Sequence, residues 1–319
     1  MCSKKQNPTT IRPAIEPKTQ RMRRAGAVLA KRALERAVAF YGRWCPIEKG
    51  KLRAIQWYIN WNRFELHRDS ELKRWRRRGF WFDLDLTDYV DQWIYLTGYY
   101  ERADYLELLN AVRQKAAAVV FDVGAQIGVY TLGLSRAVGS GGTVYSFEPN
   151  PRSFGRLQQH VQANKCDNVV LNQLALGEKC YQATLQAPLR FNTGGATLLR
   201  VRLPESWQSS PVDVGVVTLD QYCEKNHVRR LDAVKLDCQG YEPFVIEGGR
   251  NMLKTWHPRL LIEFDSRWLG AAGWSGDAFL GLLRELGYEP FQLWRGRLRP
   301  ITSVLPSGEA FNIHCLSVS

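Results

Sequence analysis

The sequence contains no long apolar run and no paired cysteines, and each absence excludes a class of protein. No stretch reaches the roughly 18 consecutive apolar residues that a transmembrane helix needs. The seven cysteines are odd in number and no two are spaced as C-x-x-C, so we expect neither a disulfide framework nor a zinc site. Glycine and proline occur at ordinary levels, which excludes collagen-like and low-complexity chains. The expected location is the reducing cytoplasm.

Acidic residues are scarce in the first quarter of the chain. Residues 1–78 contain 21 Lys+Arg against 6 Asp+Glu, and 21 − 6 gives +15. Residues 79–319 contain 23 against 25, and 23 − 25 gives −2. A length of 319 residues suits one large domain with an appendage. We therefore predict a boundary near Gly79, with the main domain at residues 79–319.

The basic quarter divides into a tail and a helical part. Residues 1–20 contain three prolines among polar residues and are predicted to form a flexible tail. Residues 21–78 are predicted to form a basic amphipathic helical extension, because apolar and aromatic residues recur there among Lys and Arg. Two interpretations stay open. The extension binds an anionic partner, either a membrane surface or nucleic acid, or it packs on the main domain with its charges in solvent.

From residue 118 onward, short apolar runs alternate with helical patterns. The predicted strands are residues 119–123, 143–147, 169–173, 233–237, 259–264, 289–294 and 311–316. Residues 180–217 interrupt this series, and alternating stretches at 183–186, 197–202 and 212–217 predict a β excursion. The pattern is typical of an α/β fold with a doubly wound sheet, mostly parallel with an antiparallel edge. Ligands in such folds bind at the carboxyl ends of the strands.

The first two strand ends carry the groups that a nucleoside site needs. The first reads DVGAQIG (residues 122–128), which is D-x-G-x-x-x-G rather than the dinucleotide motif G-x-G-x-x-G. Glu148 ends the second strand, 24 residues after Gly124, where a carboxylate can accept both hydroxyls of a ribose. Asp122 supplies a carboxylate suited to a cationic amino or sulfonium group. Each feature alone is compatible with an ordinary turn or a solvated acid, but together they favour S-adenosylmethionine as the cofactor.

An ordered set of motifs over about residues 79–319 resembles the FkbM family of S-adenosylmethionine-dependent methyltransferases. The matching segments are GYYE (98–101), DVGAQIG (122–128), FEPN (147–150), ALG (175–177), GGA (194–196), VTLD (217–220), KLDCQGYE (235–242) and LIE (261–263). The resemblance does not extend to the basic N-terminal quarter.

The resemblance implies a class I, Rossmann-like methyltransferase fold. It also implies methyl transfer to a hydroxyl of a sugar, glycan, lipid-linked or polyketide-type acceptor. In this interpretation Glu148 would hold the ribose and Ala175 would lie beside the adenine. Glu101, in the GYYE segment at 98–101, would reach the cofactor from the lead-in to the domain. Four further residues would frame the methionine part. The residues implied for the methionine part are Asp122, Gly124, Ala125 and Gly128.

The fourth strand end departs from the family pattern. The usual form is Lys-Ile-Asp-Val-Glu-Gly-x-Glu, but here Cys238 and Gln239 replace Val and Glu. An amide can be neither a base nor a strong metal ligand. If the family's Glu works chemically, this protein is slow, specialised or inactive. If that Glu only forms hydrogen bonds, Gln239 is nearly harmless.

The same motif supplies the candidate catalytic residues Asp237, Lys235 and Glu242. An alcohol is a poor nucleophile, so a base beside the acceptor oxygen should help, and Asp237 is the candidate. Lys235 either orients Asp237 and stabilises the oxyanion or simply pairs with a neighbouring acid. A divalent metal held by Asp237, Glu263 and Asp265 is an alternative. The metal-free site is favoured, since carboxylates at strand ends often serve other purposes.

Three function classes therefore stay open. The first is an O-methyltransferase for a small molecule or glycan, peripherally attached to a membrane through the basic quarter. The second is a nucleic-acid methyltransferase, an RNA enzyme among them, that grips phosphates with the same residues. The third is a cofactor-binding scaffold that is catalytically impaired.

Overall fold

The computed structural model describes residues 18–45, 50–65, 72–302, 308 and 310–318. The chain divides into two compact units, residues 1–58 and residues 59–319. Most of the predicted tail, residues 1–17, lies outside the described part. Among the described helices, none is both long and apolar enough to cross a bilayer.

The basic quarter is helical only in part. Helices α1 (Lys18–Trp44) and α2 (Lys51–Glu65) follow the helical prediction, and the division between the two units falls within α2. The prediction is wrong for strand β1 (Leu72–Arg77), which pairs antiparallel with β2 (Phe80–Asp85). Arg78 and Gly79 connect the strands, both with positive φ, as in the tight hairpin turns that fit the strand twist. The predicted boundary at residue 79 thus lies inside a hairpin.

Two helices lead from this hairpin into the sheet, α3 (Tyr89–Thr97) and α4 (Arg102–Arg113). The elements that follow, in chain order, are β3 (Val119–Val123), α5 (Val129–Val138), β4 (Thr143–Phe147), α6 (Pro151–Ala163), β5 (Val169–Asn172), β6 (Ala175–Leu176), β7 (Tyr181–Ala187), β8 (Ser210–Val217), α7 (Leu219–Lys225), β9 (Ala233–Leu236), α8 (Glu242–Glu247), α9 (Arg250–Trp256), β10 (Arg259–Asp265), α10 (Ser266–Ala271), α11 (Gly276–Glu285), β11 (Tyr288–Trp294), β12 (Arg297–Pro300) and β13 (Ala310–Ser317).

The main sheet has the strand order β12-β11-β13-β10-β9-β3-β4-β5. The strands from β10 to β5 are parallel, and β13, β11 and β12 form an antiparallel edge. The predicted doubly wound fold is confirmed, and with it the class I methyltransferase architecture that the resemblance implies. The carboxyl ends of β3, β4, β9 and β10 therefore meet at one edge of the sheet.

Apolar side chains alternate between the two faces of the sheet. In β3, Phe121 and Val123 pack in a core with residues of α7 to α11, whereas Val120 packs on the opposite face with residues of α4 and α5. Strands buried on both faces read as continuous apolar runs, which is why β3, β9 and β10 are evident in the sequence.

The predicted β excursion forms a separate sheet of order β6-β8-β7. The strand predicted at residues 197–202 is absent from this described region. Only Thr197 pairs there, with Gln186, and the chain up to residue 204 is irregular. This irregular stretch belongs to the wall of the candidate site.

Candidate active site

A cavity of about 650 Å³ opens at the carboxyl ends of the parallel strands. Its walls come from the ends of β3, β4, β9 and β10, from β6, and from the connection between β7 and β8. The cofactor-binding candidates on its wall are Asp122, Gly124, Ala125, Glu148 and Ala175. The sheet topology alone brings these residues together, since they are spread over more than fifty positions of the sequence.

The turn after β3 is shaped by a close approach of two strand ends. The amides of Gly124 and Ala125 both donate to the carbonyl of Phe147, at 3.0 Å each. Gly124 has a φ of +77°, and a Cβ there would lie 1.8 Å from the carbonyl oxygen of Asp237. Only glycine fits, because both the backbone conformation and the space exclude a side chain. The turn consequently holds its neighbouring amides at the cavity wall.

Glu148 lies buried at the end of β4 with both carboxylate oxygens engaged. Oε2 accepts from the amide of Gln126 and Oε1 from the amide of Asn150, each at 2.8 Å. Burial raises the pKa of Glu148 to about 7, although the two amides oppose this shift. Each oxygen retains a further lone pair for a hydroxyl donor. Gln126, with a φ of 50°, is a contributor that the motif alone does not identify.

Asp122 is completely buried at the end of β3. Its Oδ2 accepts from the hydroxyl of Thr131 at 2.6 Å, whereas Oδ1 has no partner among the described residues. Burial raises the pKa of Asp122, and the nearby Lys235 ammonium opposes the shift. A buried carboxylate oxygen without a donor is costly unless a ligand supplies one.

Two cofactor-binding candidates lie off the cavity wall. Gly128 begins α5 with a φ of +93°, and a Cβ there would lie 2.6 Å from Leu157. Its role in the structure is to let α5 and α6 pack closely. Glu101 precedes α4 and accepts from the hydroxyl of Tyr130 at 3.1 Å. Its neighbour Tyr100, rather than Glu101 itself, is part of the wall.

A polar cluster of Lys235, Asp237, Gln239 and Glu263 joins the ends of β9 and β10. The Lys235 ammonium donates to Asp237 Oδ2 at 2.8 Å. The Gln239 amide donates to Asp237 Oδ1 at 2.9 Å and to Glu263 Oε2 at 2.7 Å. Gln239 thus bridges two carboxyl groups, and its left-handed backbone is held by a hydrogen bond from the Thr197 hydroxyl to its carbonyl.

The two carboxyl groups of this cluster have opposite pKa shifts. Burial alone would raise the pKa of Asp237, but the Lys235 ammonium and the Gln239 amide outweigh it, so the pKa is lowered. Burial raises the pKa of Glu263 well above its usual value, and the negative charge of Asp237 adds to the shift. Of the two carboxyl groups, Asp237 is therefore the stronger acid and Glu263 the one that holds a proton more tightly.

The candidate catalytic residue Glu242 does not line the cavity and instead stabilises the turn between β9 and α8. It is buried, and its Oε1 accepts from the amide of Cys238 at 2.6 Å. Burial raises its pKa to about 7. The side chain fixes the turn between β9 and α8, on which Gln239 lies.

The acidic groups that converge differ from the predicted metal ligands. Carboxylate oxygens of Asp237, Glu242 and Glu263 all lie within 4.8 Å of one another. Asp265 instead caps α10 and forms an ion pair with Arg267 at 2.6 Å. Both carboxylate oxygens of Asp237 already accept hydrogen bonds, one from Lys235 and one from Gln239. This arrangement suits hydrogen bonding better than cation binding.

The loop at residues 192–195 closes one side of the cavity and is tied to α3. Asp88, the N-cap of α3, accepts from the amide and the hydroxyl of Thr193 at 2.7 and 2.9 Å. Tyr89 also donates its amide to the carbonyl of Phe191 at 2.7 Å. The start of α3 therefore positions the loop over the cavity.

The remaining wall is largely apolar and was not predicted. Its members come from the irregular stretch after Thr197 and from α10: Leu198, Val201, Leu203, Trp207 and Trp268. The indole N–H of Trp207 is buried and has no acceptor among the described residues. No periodic pattern marks these positions in the sequence, since they lie outside regular strands.

Comparison with known proteins supplies a family. Residues 122–290 match the family model described as the methyltransferase FkbM domain. The match covers more than half of the chain. Comparison with curated proteins gives no match.

Several solved methyltransferase structures are remotely similar. A methyltransferase FkbM from Methylobacillus flagellatus KT is 14% identical, with 70% of this chain and 52% of that chain covered and a TM-score of 0.37. A SAM-dependent O-methyltransferase from Thermotoga maritima is 14% identical, with coverages of 80% and 81% and a TM-score of 0.39. A precorrin-6y C5,15-methyltransferase from Geobacter metallireducens GS-15 is 13% identical, with coverages of 67% and 87% and a TM-score of 0.38.

Proposed function

The chain belongs to the FkbM family of S-adenosylmethionine-dependent methyltransferases, and from this premise we propose that it methylates a hydroxyl oxygen. The acceptor is of the sugar, glycan, lipid-linked or polyketide type. The apolar wall formed by residues such as Leu198, Leu203 and Trp268 favours an acceptor with an apolar body, as in the last two types. The buried indole N–H of Trp207 suits an oxygen atom on that body.

The residues around the cavity fit a cationic nucleoside. Five residues with carboxyl groups line the cavity, against three cationic residues, Lys235, Arg202 and Arg267, so carboxyl groups are in excess. The five are Asp122, Glu148, Asp237, Glu263 and Asp265. S-adenosylmethionine carries positive charge on its sulfur and its amino group, and bound there it supplies a methyl group open to attack by an oxygen nucleophile. Glu148 would take the ribose hydroxyls and Asp122, with its free Oδ1, would lie on the methionine side.

Asp237 is the proposed proton acceptor for the hydroxyl. Its carboxylate stays ionised because Lys235 donates to it at 2.8 Å, and it lies on the cavity wall. The Gln239 amide fixes the carboxylate plane from the other side at 2.9 Å. A fixed carboxylate can orient the acceptor oxygen and receive its proton as the new bond forms. Lys235 is a positioning residue in this scheme.

The observation that carries the proposal is one continuous cavity that has a polar wall with carboxyl groups and an apolar wall. The Glu148 turn and the ionised Asp237 lie on the same wall, beside the apolar surface. A nucleoside and a hydroxyl-bearing acceptor can therefore occupy it together.

The test measures cofactor binding and turnover separately. Calorimetry should detect S-adenosylmethionine binding to the wild-type chain, and release of S-adenosylhomocysteine should rise with a hydroxyl-bearing acceptor of apolar body. Asp237→Asn should cut turnover at least a hundredfold, as expected for loss of a general base, with little change in cofactor affinity. The matched control is Asp213→Asn, an exposed strand residue outside the cavity wall. Normal turnover in Asp237→Asn removes Asp237 from this role, and absence of cofactor binding refutes the proposal.

A further inference from the structure

Helix α1 exposes large apolar side chains along one side. Leu29, Phe40 and Trp44 are 66%, 69% and 72% exposed. Ala33 and Ala37, which lie between them, are exposed as well. Spacings of four, four, three and four residues place all five on one side of a helix with 3.6 residues per turn. We call these five residues the α1 stripe.

The stripe lies in a strongly basic segment. Residues 18–65 contain 12 Lys+Arg and 3 Asp+Glu, and 12 − 3 gives +9. Arg36, one helical turn before Phe40, is exposed, and so is Arg53 in α2. Leu52, beside Arg53, is 61% exposed. Each of the two helices therefore exposes a cation close to exposed apolar side chains.

We propose that the α1 stripe docks on the surface of an anionic phospholipid bilayer. Large apolar side chains in a continuous exposed row mark an interaction surface, because water contact costs free energy that a partner would recover. Amphipathic helices with an apolar stripe beside Lys and Arg lie in the bilayer interface, with the apolar side among the acyl chains and the cations at the headgroups. The stripe's aliphatic and aromatic composition and its flanking charge match this chemistry.

The composition of the stripe favours a bilayer over nucleic acid. A phosphate backbone attracts cations, and bases stack on aromatic rings, but neither contact uses exposed Leu29 or the adjoining alanines. A bilayer interface accommodates all five residues. The inference is independent of the proposed methyl transfer, since no residue of the stripe is among those that line the cavity.

The experiment uses the full chain and two kinds of vesicle. Cosedimentation is measured with phosphatidylcholine vesicles and with phosphatidylcholine vesicles that contain phosphatidylserine. Binding should require phosphatidylserine and should weaken as salt is raised. A fluorescent single-stranded RNA, titrated under the same conditions, should bind more weakly than the anionic vesicles.

Two variants separate the apolar and charged contributions. Phe40→Ser with Trp44→Ser should lower affinity for the anionic vesicles at least tenfold, because the two largest stripe residues no longer enter the acyl region. Arg36→Glu with Arg53→Glu should also lower it and should reduce its salt dependence. The matched control is Trp294→Ser, an exposed tryptophan of the other unit, which should bind vesicles as the wild type does.

Cofactor binding shows whether the unit of residues 59–319 still folds in each variant, and far-UV circular dichroism shows whether the helices of residues 1–58 are kept. Cofactor binding should be unchanged in all three variants, because none of the substituted residues lines the cavity. No binding of the wild type to anionic vesicles overturns the inference. Full binding by Phe40→Ser with Trp44→Ser, or RNA binding stronger than vesicle binding, also overturns it.

Discussion

The buried carboxyl groups around the cavity differ in charge because each has different donors. Asp237 accepts hydrogen bonds from the Lys235 ammonium and the Gln239 amide, so its ionised form is stabilised. Glu148 receives two backbone amides, which do not fully offset its burial, and its pKa is raised to about 7. Near neutral pH a small change in the surroundings of Glu148 therefore changes its protonation, whereas Asp237 stays ionised.

Cofactor affinity should consequently depend on pH through Glu148. Ribose hydroxyls donate to a carboxylate, so binding requires the ionised form. With a pKa of about 7 in the free protein, affinity should fall as pH is lowered below 7, by up to about tenfold per pH unit. Calorimetric titrations of S-adenosylmethionine between pH 5 and 8, values chosen to bracket that pKa, measure this slope.

Glu148→Gln should lower affinity at least tenfold and flatten the slope. An amide has one acceptor oxygen, so either the Gln126 or the Asn150 amide would face an N–H group. Glu224→Gln, at an exposed position in α7, is the control and should keep both affinity and slope. A steep slope retained in Glu148→Gln would assign the titration to another group.

Gln239→Glu restores the residue expected from the family pattern and tests what the glutamine does here. A third carboxyl group would replace the amide that donates to Asp237 and Glu263. Like charges at hydrogen-bond distance raise each other's pKa, so we expect turnover to fall at least tenfold at neutral pH. Gln182→Glu, at an exposed position in β7, is the control. Turnover above the wild-type level would mean that the glutamate performs chemistry that Gln239 cannot.

The sequence motifs identify which residues carry functional groups better than they identify which of those residues line the cavity. Asp122, Glu148 and Asp237 follow from their places at strand ends, and the structure lines the cavity with all three. Gly128 and Glu242 belong to the same motifs but support turns, at Leu157 and Cys238. A motif records which residues occur together, and it does not separate those that would touch a ligand from those that hold the turn.

Among the elements, the loop at residues 192–195 depends on α3 for its position. Asp88→Ala would remove the N-cap of α3 and the acceptor for both donors of Thr193. Loss of a cap and of buried hydrogen bonds should cost about 2 kcal/mol or more of unfolding free energy. Because the loop lines the cavity, the affinity for cofactor or acceptor should fall as well. Thermal unfolding and calorimetry measure the two effects.

Ser275→Ala is the matched control for this loop. Ser275 caps α11 through the amide of Ala278, and it does not line the cavity. It should lower stability by about 1 kcal/mol without changing ligand affinity. If Asp88→Ala lowers stability but leaves both affinities intact, the tie between α3 and the loop does not position the site.

The sequence predicts the parallel strands of the main sheet and also β11 and β13 of its antiparallel edge, but it does not predict β1 or β12. β3, β9 and β10 are mostly apolar because both of their faces are covered. The sequence predicts helix for β1 because four of its six residues are Lys or Arg, so no alternation of apolar and polar residues is evident. β12, another strand with mostly exposed residues, has no apolar pattern at all and was missed. Burial on a strand's faces, which the sequence records, was the deciding factor.

On the scale of the whole molecule, charge and compactness divide the chain differently. The charge pattern places a boundary at residue 79, whereas the compact units meet at residue 58. The residues between these two positions include the end of α2 and the basic strand β1, and β1 pairs with β2, in which Phe80, Phe82 and Leu84 are buried. Net charge reports the composition of the surface, and contacts between buried side chains determine the unit.

The stability of the cofactor-free protein should fall as pH rises from 6 to 8. Burial raises the pKa of Asp91, Glu148 and Glu242 to about 7, above the values of about 4 to 4.5 expected in the unfolded chain. Such groups stabilise the fold fully only below the unfolded pKa, and the contribution is lost as pH rises through the folded pKa. His160 has the opposite sign, because its pKa is lowered to about 4 and its effect is confined to pH below about 6.5.

The decrease between pH 6 and 8 should therefore come from the carboxyl groups, at about 1 kcal/mol for each group. Differential scanning calorimetry of the cofactor-free chain measures it as a lower Tm at pH 8 than at pH 6. Saturating S-adenosylmethionine should raise Tm more at pH 8 than at pH 6, because the ionised Glu148 binds it more tightly. Glu148→Gln should reduce the decrease, since one ionising group is removed, whereas Glu224→Gln should leave it unchanged. A Tm that does not fall between pH 6 and 8 would mean that these carboxyl groups ionise in the folded protein with pKa values near those of the unfolded chain. Glu148 would then not be the group that makes cofactor affinity depend on pH near 7.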